Sequence, residues 1–114
     1  MSAITTHVLD TARGRPAAGV PVVLEMRGAG GGWRVVGRGV TDEDGRRRDL
    51  LAPDFALEEG SYRLTFDVAA YFASCGTQGF YTEVSVAFVV RDAAAHYHVP
   101  LLLSPYGYST YRGS

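Results

Sequence analysis

Three histidines and a short arginine cluster are the side chains of this sequence best suited to chemistry. His96 and His98 are separated by one residue in the segment HYHVP, and His7 lies near the start of the sequence. A neutral imidazole can accept or donate a proton at neutral pH. The set therefore favours metal-free acid/base catalysis over a zinc site or ordinary surface histidines. Zinc is disfavoured because no cysteine or carboxylate joins the His96/His98 pair at typical ligand spacing.

The arginine cluster follows a predicted Asp-Gly turn over residues 42–45. This turn lacks the later ligands of a calcium loop. In a strand, alternation would place Arg46 and Arg48 on one face and Arg47 on the other. Such a run is commonly a solvated basic patch. If the strand reaches the histidine-bearing face, however, one guanidinium there would bind an anionic or carbonyl-rich ring through paired hydrogen bonds.

Serine catalysis and phosphate binding have little support in the sequence. There is no G-x-S-x-G motif, and the glycine-rich segment 28–32 lacks the Lys-Ser/Thr of a phosphate loop, so it predicts a hairpin loop. Ser114 brings a hydroxyl and a free α-carboxylate together, but chain ends are usually frayed. Composition and motifs alone thus predict a small β domain with a candidate His/Arg cleft.

Composition and charge argue against nucleic acid and membranes as partners. Eleven Lys plus Arg against twelve Asp plus Glu give a net charge of -1, so no overall positive field attracts phosphates. The sequence contains no leader pattern and no apolar run long enough to span a membrane. The single Cys75 cannot form an internal disulfide and is expected to be a packed structural residue. We therefore expect a cytoplasmic protein.

Short runs rich in Val, Thr, Tyr and Phe, separated by Gly, Pro and Asp clusters, predict an all-β fold. The length of 114 residues suits a single domain over residues 1–114. One short helix is predicted between Asp67 and Gly76, where the sequence is rich in alanine. The predicted strands are eight: Thr5–Asp10, Val20–Met26, Trp33–Val40, Arg46–Leu51, Ser61–Asp67, Glu83–Val90, Tyr97–Leu103 and Tyr108–Arg112.

Strand alternation assigns the histidines to an outer face. Between residues 96 and 104, Tyr97, Val99 and two leucines fall on an apolar face, whereas His96 and His98 fall on the other, with Pro100. In the first strand His7 likewise shares a face with Thr5 and Leu9. A face that is half apolar and half titratable suggests a ligand cleft or a subunit interface.

Three segments resemble signatures of the 5-hydroxyisourate hydrolases, which are members of the transthyretin-like family. They are THVLD at 6–10, TDEDGR at 41–46 and the final run of 96–114, HYHVPLLLSPYGYSTYRGS. Similarities at Arg13–Ala17, Gly60–Asp67, Tyr71 and Phe72 extend the resemblance over nearly the whole chain. Thyroid-hormone-binding transthyretins resemble this chain less, since they lack the YRGS ending and differ at the positions of His7, Arg46 and His98.

The resemblance implies a β-sandwich of two four-stranded sheets with one short helix. It also implies a homotetramer whose active sites lie in a central channel where dimers meet. The implied activity is hydrolysis of 5-hydroxyisourate to 2-oxo-4-hydroxy-4-carboxy-5-ureidoimidazoline in urate degradation, with no metal or cofactor.

The resemblance also assigns the site, residue by residue. The catalytic residues would be His7, Arg46, His98 and Ser114, and the same four with Tyr111 would bind substrate. His96 receives no role, and either His7 or His98 could be the general base. The departures from the family pattern, Thr82 and Arg47–Arg48, lie outside these positions. Two alternatives stay open, a ligand carrier without chemistry and a zinc-dependent hydrolase.

Overall fold

The strands of the domain form two sheets, and one short helix connects two strands of the second sheet. A computed structural model describes residues 2–114. The elements in chain order are β1 Ile4–Asp10, β2 Arg15–Pro16, β3 Pro21–Arg27, β4 Trp33–Val40, β5 Arg46–Arg47, β6 Gly60–Phe66, α1 Val68–Ser74, β7 Val84–Val90, β8 Tyr97–Ser104 and β9 Gly107–Thr110. The predicted all-β sandwich with one helix is confirmed.

The first sheet has the order β2-β1-β8-β9, and β5 also pairs with β1. Its central pair, β1 and β8, is parallel, whereas its other pairs are antiparallel. The second sheet is antiparallel throughout, with the order β4-β3-β6-β7. The first sheet therefore has five strands where four were expected.

The observed strands differ from the predicted ones in two places: β2 is an additional strand, and β5 is shorter than predicted. The pair Arg15–Pro16, not predicted as a strand, pairs with the end of β1 after a turn at Gly14, whose φ of 68° favours glycine. The predicted strand Arg46–Leu51 is wrong beyond Arg47. There the chain leaves the sheet so that Leu50 and Leu51 enter the core, at 3% and 5% exposure.

The core lies between the inner faces of the two sheets, as strand alternation predicted. Tyr97, Val99, Leu101 and Leu103 of β8 are all buried, and β6 contributes alternate residues from Tyr62 to Phe66. Full burial of each such side chain contributes about 1.5–3 kcal/mol to folding. The core therefore fixes which face of β8 is turned outward.

The helix α1 anchors the far end of β1. Its N-cap is Asp67, which accepts a hydrogen bond from the amide of Ala70. The buried Tyr71 hydroxyl donates to Asp10 Oδ2 over 2.7 Å, and burial raises the pKa of Tyr71 well above its usual range, with this hydrogen bond adding to the shift. Cys75, just after the helix, packs half-buried against the core.

Within residues 2–114, no helix combines the length and the apolar character that crossing a membrane would require.

Candidate active site

Strand pairing in the first sheet brings the predicted site residues together from distant parts of the sequence. His98 lies opposite Thr5 in the parallel β1–β8 pair, two register positions from His7. On the other side of β1, His7 lies directly opposite Arg46 of β5. Partners in a ladder share a face of the sheet. Both imidazoles and the Arg46 side chain therefore belong to the outer face.

These side chains line a cleft of about 420 Å³ on that face. His7, Arg46, His98, Tyr111 and Ser114, the five residues implied by the family resemblance, all contribute to its wall. Thr5, Thr6, Arg48, His96, Pro100 and Gly113 complete the lining. Two of the lining side chains, Arg46 and Arg48, are positively charged, and within residues 2–114 no Asp or Glu side chain joins them, which favours an anionic or carbonyl-rich ligand.

The Asp-Gly turn over residues 42–45 positions both His7 and Arg46. Asp42 Oδ1 accepts hydrogen bonds from the amides of Asp44, at 2.9 Å, and Arg46, at 3.0 Å. The hydrogen bond from the Arg46 amide is the main cause that lowers the pKa of Asp42. Gly45 has φ 75°, and a Cβ there would lie 2.3 Å from the carbonyl oxygen of Val8. Only glycine lets the turn approach β1 this closely.

The same turn fixes the tautomer of His7. His7 Nε2 lies 2.8 Å from the carbonyl oxygen of Asp44. A carbonyl only accepts, so Nε2 carries the proton and Nδ1 of the neutral ring keeps its lone pair. Burial lowers the pKa of His7, and the nearby Arg46 charge lowers it further. His7 is therefore neutral at pH 7, with one nitrogen able to accept a proton.

His98 is half-buried and neutral at pH 7 for similar reasons. Burial is the largest cause that lowers its pKa, followed by the charges of Arg46, His7 and His96. Its Nδ1 lies 2.8 Å from Thr5 Oγ1. No hydrogen bond joins its Nε2 to any part of the chain between residues 2 and 114.

The segment after β9 packs across the His98 ring and carries Ser114 to the cleft. The Gly113 amide donates to the His98 carbonyl over 2.8 Å. A Cβ at Gly113 would lie 2.6 Å from His98 Cδ2, so a side chain does not fit there. Arg112 stacks over the ring of Tyr97 at 4.5 Å. These contacts hold the segment in place, although chain ends are often frayed.

Arg47 and Arg48 differ from Arg46 in their surroundings. Arg48 is exposed, reaches the rim of the cleft and pairs with Asp42 at 3.7 Å. Arg47 lies on the opposite face, where a Cβ on Gly39 would meet its guanidinium. Its buried Nε has no hydrogen-bond partner within residues 2–114. Arg46 is thus the arginine with the closest electrostatic coupling to both imidazoles.

Thr5 and His96 contact His98, although sequence reasoning gave neither of them a role. The Thr5 hydroxyl lies between the two rings, 3.2 Å from His96 Nε2. Strand alternation had placed Thr5 on the same face as His7, and this was the one signal in the sequence that could have pointed to Thr5. The parallel pairing of β1 with β8, which brings Thr5 next to His98, could not be predicted from the local sequence pattern. The part of the chain that the structure describes, residues 2–114, holds no group of three or more His, Cys, Asp or Glu side chains placed to bind a metal.

Two packed sheets and one short helix, with a cleft lined by histidine and arginine on the outer face of the first sheet, make up a transthyretin-like fold. The model of the HIUase/Transthyretin family matches residues 4–113. The chain belongs to this family.

The relatives with similar sequences include 5-hydroxyisourate hydrolases. It is 48% identical to the 5-hydroxyisourate hydrolase of Deinococcus radiodurans, over 97% of this chain and 95% of that protein. It is 47% identical to the uric acid degradation bifunctional protein TTL of Arabidopsis thaliana, over 97% of this chain but only 37% of that longer protein. Identity at this level to a protein named as a hydrolase, over nearly the full length of both chains, shows the chain to be a hydrolase.

Solved structures of a hydrolase and of a transthyretin both share the fold of this chain. The 5-hydroxyisourate hydrolase of Klebsiella pneumoniae superposes with a TM-score of 0.83 at 37% identity, over 97% of this chain and 98% of that one. Sea bream transthyretin in complex with thyroxine gives a TM-score of 0.90 at 32% identity, over 98% and 95%. The backbone therefore does not distinguish a hydrolase from a transthyretin that binds thyroxine, and the distinction must come from the side chains of the cleft.

Proposed function

We propose that the chain hydrolyses 5-hydroxyisourate to 2-oxo-4-hydroxy-4-carboxy-5-ureidoimidazoline, a step in urate degradation. The observation that carries this proposal is the convergence of two neutral imidazoles and one guanidinium, from β1, β8 and β5, on a single cleft. Relatives of similar length are named for this activity.

In the proposed reaction, water adds to a ring amide carbonyl and the carbon–nitrogen bond then breaks. His7 is suited to take the proton from water at Nδ1, because its Nε2–H is held by the Asp44 carbonyl. The same proton then passes from His7 to the departing ring nitrogen. Protons balance over the cycle, and the step requires no redox partner.

Arg46 stabilises the oxyanion in this proposal. A positive charge placed where negative charge develops lowers the barrier, and a guanidinium offers paired donors to adjacent carbonyl oxygens. Tyr111 and the Ser114 hydroxyl lie on the wall formed by the segment after β9 and are proposed to orient the substrate. The contacts of Gly113 with His98 would make substrate binding sensitive to this segment.

A direct assay tests the proposal. Urate oxidase converts urate to 5-hydroxyisourate, whose decay is followed by ultraviolet absorbance with and without the chain. We expect decay well above the spontaneous rate, and the same acceleration after exhaustive chelation. Saturable ligand binding without acceleration would instead favour a carrier, as in the thyroxine-bound transthyretin. Loss of activity on chelation with recovery on zinc would favour a metallohydrolase.

We also propose a homotetramer with its sites between dimers. Within residues 2–114, the outer edges of β7 and β9 have no strand partner. An apolar groove of about 430 Å³ lies between these two strands and is lined by residues such as Phe88 and Val99. Tyr106, Tyr108 and Tyr111 expose 44–69% of their surface nearby. Such edges and patches are commonly covered by other subunits. Sedimentation should give four times the chain mass of 12.3 kDa, and a fully active monomer would contradict the proposal.

The cytoplasm is the proposed location. Cys75 is a free thiol in the structure, which suits a reducing compartment. Fractionation of cells that produce the chain would check this.

A further inference from the structure

The Thr5 hydroxyl links the two histidines of the HYHVP segment. Thr5 Oγ1 lies 2.8 Å from His98 Nδ1 and 3.2 Å from His96 Nε2. Thr5 is only 4% exposed, although its side chain is on the outer face of the sheet. The two rings are nearly parallel, with 12° between their planes and 6.5 Å between their centres. A buried hydroxyl with two imidazole partners has little freedom to rotate.

This geometry couples the tautomers of the two rings. A hydroxyl has one hydrogen to donate, and within residues 2–114 the Thr5 hydroxyl has no hydrogen-bond partner besides these two nitrogens, so one nitrogen receives the hydrogen and the other donates to the hydroxyl oxygen. Either His96 Nε2–H donates to Thr5 and Thr5 donates to His98 Nδ1, or the chain of hydrogen bonds runs in reverse. In the first arrangement neutral His98 carries its proton on Nε2, and in the second Nε2 is bare.

The two distances favour the first arrangement. Hydrogen bonds in which a hydroxyl donates are typically shorter than those in which a ring N–H donates. The shorter contact, to His98, therefore fits Thr5 as donor, and the longer contact, to His96, fits Thr5 as acceptor. His7 already provides a bare nitrogen, so this arrangement gives the cleft one acceptor and one donor.

We propose that Thr5 and His96 are positioning residues that hold neutral His98 as the Nε2–H tautomer, so that His98 donates a hydrogen bond to the substrate carbonyl. His98 then polarises the carbonyl beside Arg46 without giving up its proton, while His7 acts as the base. The catalytic consequence rests on the proposed hydrolysis, whereas the tautomer is a property of the substrate-free chain.

Thr5→Val tests the chain of hydrogen bonds with little change in shape, because it replaces the hydroxyl by a methyl group. We expect kcat to fall about tenfold, roughly the effect of one hydrogen bond of ordinary strength, with a much smaller change in KM. Thr5→Ser should restore the rate, and His96→Leu should lower kcat as Thr5→Val does. Thr65→Val on β6 makes the same exchange far from the cleft and serves as the matched control.

The decisive readout is the tautomer of His98, measured by nitrogen-15 NMR on the substrate-free protein above pH 7. The wild type and Thr5→Ser should show His98 protonated on Nε2, and Thr5→Val should show a mixture of tautomers at an unchanged melting temperature. A wild-type His98 protonated on Nδ1, or a tautomer that Thr5→Val leaves unchanged, would overturn the proposal. A wild type with the expected tautomer but no hydrolysis would instead refute the proposed function and leave the hydrogen-bond arrangement standing.

Discussion

The two faces of the β1–β8 pair carry opposite kinds of side chain on one backbone. On the inner face, the apolar side chains of Val8, Val99 and Leu101 are at most 5% exposed and contribute by packing. On the outer face, His7 and His98 are half-buried and each ring is oriented by a specific hydrogen bond. Inner positions should therefore control stability, and outer positions should control activity.

Among the variants of the outer face, His7→Asn should reduce activity the most. Removal of a general base typically costs on the order of 10² to 10⁴ in rate. We expect such a loss in kcat for 5-hydroxyisourate, measured by ultraviolet absorbance, with a melting temperature close to that of the wild type. An equal loss of stability and activity would show that the two faces are not separable in this way.

Arg46→Gln should have the next largest effect. Loss of a group that stabilises the oxyanion costs about 10² to 10³ in kcat. The matched control is Arg48→Gln, since Arg48 is exposed at the rim and already paired with Asp42. Equal losses in the two variants would indicate a general effect of positive charge rather than a placed guanidinium.

Leu101→Ala tests the inner face. The cavity left by a fully buried leucine should lower the free energy of unfolding by about 3 kcal/mol. Chemical denaturation measures this change. The folded fraction should keep a kcat near that of the wild type. A large drop in kcat would show that catalysis depends on packing in the core, contrary to this account.

The sequence was sufficient to predict these two faces, because alternation in β8 depends only on local pattern. The sequence was also sufficient to predict the turn over residues 42–45, which precedes Arg46. It could not show that β5 pairs with β1 or that β1 runs parallel to β8, because such pairings join distant segments. For the same reason, alternation could not choose between His96 and His98. The family resemblance chose His98, and the contacts of Thr5 show how His96 is connected to it.

The smallest expected effect concerns pH. Burial and the Arg46 charge lower the pKa of His7 below its ordinary value of 6.5. A base must be neutral to act, so kcat/KM should fall as the pH drops through the lowered pKa, with a midpoint below 6.5. A midpoint above 6.5 in the pH profile would contradict the assignment of His7. In Arg46→Gln the midpoint should move upward, because a charge that disfavours the imidazolium is gone.

The central claim is that the outer face of the β1–β8 pair hydrolyses 5-hydroxyisourate. It is tested most directly by the decay of freshly generated 5-hydroxyisourate with wild type and with folded His7→Asn side by side. We predict strong acceleration by the wild type and almost none by the variant. Spontaneous decay with both proteins, or equal acceleration by both, would contradict the account.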